Sequence, residues 1–121
     1  MKLIKKTFLL TALICSTSIF AQSNVLISKA DDLDLAFEES IREFGYISGV
    51  VLQCQTDATQ RIKHEREVSK AFNGLVRLFG SDRAFYHAAA FGAGSIDEID
   101  KSKCKQFTEK YDAAAKLAKQ Q

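Results

Sequence analysis

The chain carries no proline in 121 residues, and its only strong breakers are six glycines. Proline in a helix interior removes a hydrogen bond and crowds the preceding turn, at a cost of about 3 kcal/mol. Without it, long helices can form unopposed, and the apolar residues are spaced to suit them. Leu33, Phe37, Ile41 and Phe44 recur at intervals of four, four and three, one face of a helix. Strand-like alternation is absent, and Tyr46 to Leu52 is the only locally β-prone run. The pattern predicts an all-α domain, a small bundle of four to five helices.

The glycines read as helix stops. Ser28 and Asp31 open a first helix as a capping-box-like start, with Asp31, Asp32 and Asp34 facing its positive end, and Gly45 closes it after residues 29–44. A second helical region runs from Ile47 to Gly80, with Ile47, Val51, Cys54, Ala58 and Ile62 on one stripe and Val68, Phe72, Leu75 and Phe79 on another. If continuous it would be about 50 Å long, against about 35 Å for a compact domain of this size. A bend or short break near residues 55–60 resolves the mismatch. Ser81 and Asp82 cap a third helix, residues 83–91, apolar on almost every side except His87 and therefore expected at the centre of the fold. Gly92 and Gly94 end it. Ser95 and Glu98 open a last helix to about Lys119, with Cys104, Phe107, Tyr111, Ala114 and Ala118 in line.

Residues 1–21 have the form of a cleaved secretory signal. Lys2, Lys5 and Lys6 precede an uncharged apolar run from Phe8 to Ile14, and Ala21–Gln22 is a suitable cleavage junction. Residues 22–28 then form a short flexible N-terminal segment and residues 29–121 a single helical domain. The whole chain has 17 basic and 15 acidic side chains. All three leader charges are basic, so the processed chain is nearly neutral, which argues against nucleic-acid binding. No later segment is apolar enough to span a bilayer. Export points to the periplasm, or to secretion. Cys15 stands in a sequence that resembles a bacterial lipobox, yet Ile14 and Ala12 occupy the places of its small residue and leucine, so a lipid anchor is the lesser reading.

Loss of the leader leaves two cysteines, Cys54 and Cys104, and an oxidising compartment offers them one intramolecular pairing. Neither has a Cys or His at chelating distance in sequence, so a structural disulfide is preferred to a zinc site. Each cysteine also falls on the apolar stripe of its helix, as a core disulfide between the second and last helices requires.

Chemistry is harder to find. His64-Glu65-Arg66-Glu67 begins like a zinc-protease helix, but Val68 stands where a second histidine is needed. It reads as a solvated face with a Lys63–Glu67 ion pair one turn apart. His87 reads as a core or groove histidine with one nitrogen satisfied. No catalytic residues, metal ligands or cofactor are assigned; a small metal-binding protein or enzyme using His64 and His87 is a secondary alternative. The polar stretch from Gln53 to Lys70 carries one apolar anchor, Ile62, ringed by Arg61, His64, Glu65 and Arg66, which together form a candidate partner-binding site.

In size, helical content and a single disulfide across a comparable loop, the chain resembles two groups: the small acid-stress chaperones of the bacterial periplasm and the helical secretin pilotins. The likeness is architectural, without a shared motif. The expected function is that of a non-enzymatic exported protein whose partner is another protein or a second copy of itself. A stress chaperone and a pilotin-like secretion accessory are the alternatives the resemblance implies.

Overall fold

The computed structural model describes residues 18–120, with side chains from residue 31 onward. Residues 1–17, and with them most of the expected signal and Cys15, lie outside this range. Two compact units divide the chain, residues 1–34 and Leu35–Gln121. In the first, the described residues form the opening part of helix α1 (Ser18–Cys54). The second contains the rest of α1, then α2 (Ala58–Phe79), α3 (Ser81–Ile96), a 3₁₀ turn (Lys101–Lys103) and α4 (Cys104–Lys119). The described residues are all-α, as the periodicity predicts.

Paired residues give the directions of the helices. Ser48 meets His64 and Phe37 meets Phe79, so α2 folds back antiparallel to α1. Gly45 faces His87 and Gln53 reaches Gly94, so α3 runs parallel to α1. Cys54 bonds Cys104 and Phe44 stacks on Tyr111, so α4 is antiparallel to α1. The result is an up-down-up-down bundle in which α1 touches each of the other three helices. The expected break falls at residues 55–57, where Asp57 caps α2 by accepting a hydrogen bond from the Gln60 N–H at 2.9 Å.

Several boundaries differ from the sequence reading, and for one reason. Gly45, Gly92 and Gly94 do not stop helices; they lie inside them. Gly45 and Gly49 sit one turn apart on α1, where a Cβ would overlap the carbonyl oxygens of His87 and Phe91. A Cβ at Gly94 on α3 would likewise overlap the carbonyl of Tyr46. Two helix backbones thus touch at three glycines, the close approach that small residues one turn apart permit. α1 accordingly continues past Gly45 to Cys54. Ser28 is interior to α1 rather than a cap, and residues 22–28 are helical. The disulfide therefore joins the first helix to the last.

The centre of the fold also moves. In the run from Gly45 to Leu52 every residue but Tyr46 is buried, and Ile47, Val50 and Val51 form the core with Tyr111. This is the stretch with local β propensity; packing on three sides overrides it. α3, expected at the centre, is peripheral, since Ala84, His87 and Gly94 are buried whereas Phe85 is 65% and Ile96 86% exposed. Its outer face is apolar because it is built of alanine and glycine, which add little area to bury. α3 starts directly after Gly80, without a side-chain cap from Ser81 or Asp82. Gly80 has φ 89° and ψ 166°, a conformation nearly restricted to glycine, and it alone separates α2 from α3. Ser95 donates to the Gly92 carbonyl at 2.8 Å within α3, and Asp100, bonded to Ser102, opens the turn into α4 instead.

Two stability predictions follow from this packing. Gly49→Ala should destabilise the protein by about 1–3 kcal/mol, because the helices must separate to admit the methyl group. Gly74→Ala, in α2 with nothing within 4 Å of its Cβ position, should stabilise it by about 0.5–1 kcal/mol. Urea denaturation of the two variants gives opposite shifts if the glycine contact is correct. For the disulfide, which spans 50 residues with a Cα–Cα distance of 5.6 Å, reduction or Cys54→Ala should cost about 2–5 kcal/mol. Two free thiols in protein recovered from its native compartment would contradict the pairing there.

Candidate functional site

α2 presents different chemistry on each side. His64 and Val68, one turn apart, face inward and are buried. Thr59, Ile62, Lys63, Arg66, Glu67 and Lys70 repeat at three- and four-residue intervals on the opposite side and line a shallow concavity there. Ile62 is 50% exposed within it. Arg61 and Glu65 lie between these two sides and pair with each other at 3.5 Å, one turn apart.

The five residues expected to form one contact site are therefore divided. Ile62 and Arg66 are together on the outer face, and Arg61 and Glu65 are engaged on the flank. His64 is a correction: it belongs to the interior, not to a solvated rim. Its Nε2 lies 2.8 Å from the carbonyl oxygen of Ser48. A carbonyl only accepts, so Nε2 carries the proton and donates. The imidazole also meets the edge of the Tyr111 ring at a centroid distance of 5.0 Å. The projecting helix that motivated the contact site is absent, because the break at residues 55–57 folds α2 back along α1.

A second concavity, of about 380 Å³, adjoins the first and shares Glu67 and Lys70 with it. It is a groove between α2 and α4, with Phe44 of α1 also in its lining. Phe44, Ala71, Tyr111, Ala115 and Ala118 supply the apolar surface, and Glu67, Lys70 and Lys119 supply the charges. Burial, with smaller contributions from Glu67 and Asp112, pushes the Tyr111 phenol up to about 12. It therefore stays protonated at neutral pH. Sequence reasoning placed Tyr111 on the inner stripe of α4 but did not find the groove, which depends on how far α2 and α4 stand apart.

The two histidines occupy opposite ends of a row of rings. His87 lies 5.5 Å from Phe44, Phe44 stacks on Tyr111 at 5.7 Å, and Tyr111 meets His64. His87 is 1% exposed, its Nε2 has no hydrogen-bond partner, and burial lowers its pKa below the ordinary 6.5. Among the described residues no group of three or more His, Cys, Asp or Glu side chains is placed to hold a metal ion. No helix among them is long and apolar enough to cross a membrane.

The raised Tyr111 pKa predicts an alkaline limit to stability. The unfolded chain loses this proton near pH 10, whereas the folded chain holds it to about pH 12. Its contribution is complete below pH 10 and falls as the pH rises from 10 to 12. Tyr46, raised chiefly by donating to Asp97 at 2.5 Å, adds to the same decline. Tyr111→Phe should shrink the loss of urea midpoint between pH 9 and pH 11 without abolishing it. An unchanged loss would show that Tyr111 titrates normally in the folded protein.

Compared with protein-family models, with curated proteins and with solved structures, the chain matches none.

Proposed function

We propose that the protein is a small exported accessory factor that works by binding another protein. The observation that carries this reading is the continuous surface around the edge of α2. Ile62 and the Phe44–Tyr111 groove adjoin across Glu67 and Lys70, so an apolar contact area is bordered by charges. That combination suits a protein interface, in which an apolar centre excludes water and a polar rim sets register. The Cys54–Cys104 bond and the signal-like leader support an oxidising compartment, with the periplasm favoured over release from the cell.

The outer face of α3 favours a second reading, that of a stress chaperone. Phe85, Ala88, Ala89, Gly92, Ala93 and Ile96 are exposed and uncharged over three turns. Such a face can engage apolar segments of many clients without selecting among them.

Photo-crosslinking residues placed separately at positions 62 and 85 distinguish the two readings in cells. One discrete adduct, lost in competition with excess wild-type protein, supports the accessory factor; a spread of adducts concentrated on position 85 supports the chaperone. Ile62→Asp should weaken association with the captured partner at least tenfold. Its melting temperature should stay within about 3 °C of the wild type, because a half-exposed surface substitution touches little core. A large fall in melting temperature would show that Ile62 is ordinary core, and the α2 site would be abandoned.

A further inference from the structure

Among the described residues His87 is the largest fully buried side chain. It sits where α3 presses on α1, with its own carbonyl against Gly45 and its ring beside Phe44. A neutral imidazole can leave one nitrogen unpaired at modest cost. An imidazolium carries two N–H donors and a full charge, each of which needs a partner or water. None is at hand for Nε2.

The nearby charged and titratable groups on the surrounding helices are paired with other residues or lie on exposed faces. On α1, Glu43 pairs with Lys110 of α4 at 2.6 Å, and Arg42 stacks over Tyr86 at 4.4 Å. On α3, Arg83 lies over Phe37, Asp82 is exposed in the first turn, and Asp97, just past the helix, accepts from Tyr46. On α2, Arg61 and Glu65 pair with each other, Lys63, Arg66, Glu67 and Lys70 line the outer face, and Arg77 is exposed near the end. His64 donates to Ser48, and Tyr111 stands beyond Phe44.

We propose that His87 is an acid-sensitive latch, whose protonation releases α3 from α1 while the other three helices remain together. Connectivity makes α3 the element that moves. α1 is bonded to α4 through Cys54–Cys104, and α2 is tied to α1 through His64. α3 is held to α1 by the glycine contact and by peripheral polar contacts, including Gln53 to the Gly94 and Asp97 carbonyls. It also packs on α2 across the Gly80 connection, with no hydrogen bond from His87 Nε2 to that helix. Gly80 at one end and residues 97–100 at the other provide the hinges. Release uncovers the inner side of α3 and the glycine-lined side of α1. The latch does not depend on which partner the α2 surface binds.

The sign is set by linkage. In the closed form burial holds the His87 pKa below 6.5, whereas in the open form it takes up a proton at its ordinary value. The closed state is therefore fully favoured above pH 6.5 and loses ground as the pH falls from 6.5 toward the closed-state pKa, by at most tenfold per pH unit. Hydrogen exchange of the oxidised protein between pH 7.5 and 5, corrected for intrinsic rates, tests this. Amides of α3 should lose protection progressively below pH 6.5, by at most tenfold per unit, while those of α1, α2 and α4 hold, and His87→Phe should flatten the response. PH-independent protection of α3, loss of all four helices in step, or an unchanged response in His87→Phe would each overturn the proposal. Should His87→Phe fail to fold, NMR titration of the wild-type imidazole decides, and a value at or above 6.5 overturns the latch.

Discussion

Everything else in this bundle depends on a backbone-to-backbone contact. Gly45 and Gly49 of α1 lie against the carbonyls of His87 and Phe91, and Gly94 of α3 lies against the carbonyl of Tyr46. Each glycine inside a helix costs about 0.5–1 kcal/mol relative to alanine. That cost is offset only if a neighbour uses the missing side chain, as happens at these three positions. Close approach on this side lets α1 keep its larger residues for the other helices. Ile47 and Val51 go to the core with Tyr111, and Ser48 offers its carbonyl to His64.

Each remaining helix reaches α1 by a different kind of bond. α2 relies on a buried imidazole donor and an edge-to-face pair of rings, Phe37 with Phe79 at 4.8 Å. α4 relies on a covalent link and a stack of Phe44 on Tyr111. α3 combines the glycine seam with polar contacts near its two ends, Arg42 over Tyr86 and Gln53 to Gly94. These attachments differ in their sensitivity to reductant, acid and salt, so the helices need not loosen under the same conditions.

Local features of the sequence were readable, and contacts between distant segments were not. The helices announced themselves by period, the break near residue 55 by the mismatch of lengths, and the cysteine pair by elimination. Glycine misled, because a helix stop and a helix contact use the same residue, and only a neighbouring backbone tells them apart. α3 misled because its apolar count is high while its apolar area is small. His64 was legible in principle: it stands one turn before Val68, already assigned to the inner stripe, yet its charged neighbours suggested a solvated face. The groove between α2 and α4 had no local signal, since its shape arises from the spacing of two helices joined through α1.

The position of the disulfide gives the bundle a polarity along its axis. Cys54 ends α1 and Cys104 begins α4, beside the α1–α2 turn and the segment that leads out of α3. One end of the bundle is thus clasped by a covalent bond and two short connections. At the other, α2 and α3 meet through Gly80 and α4 simply terminates. The groove between α2 and α4 lies toward the open end, so its lining is held by noncovalent contacts alone and at Lys119 lies one full helix length from the covalent clasp.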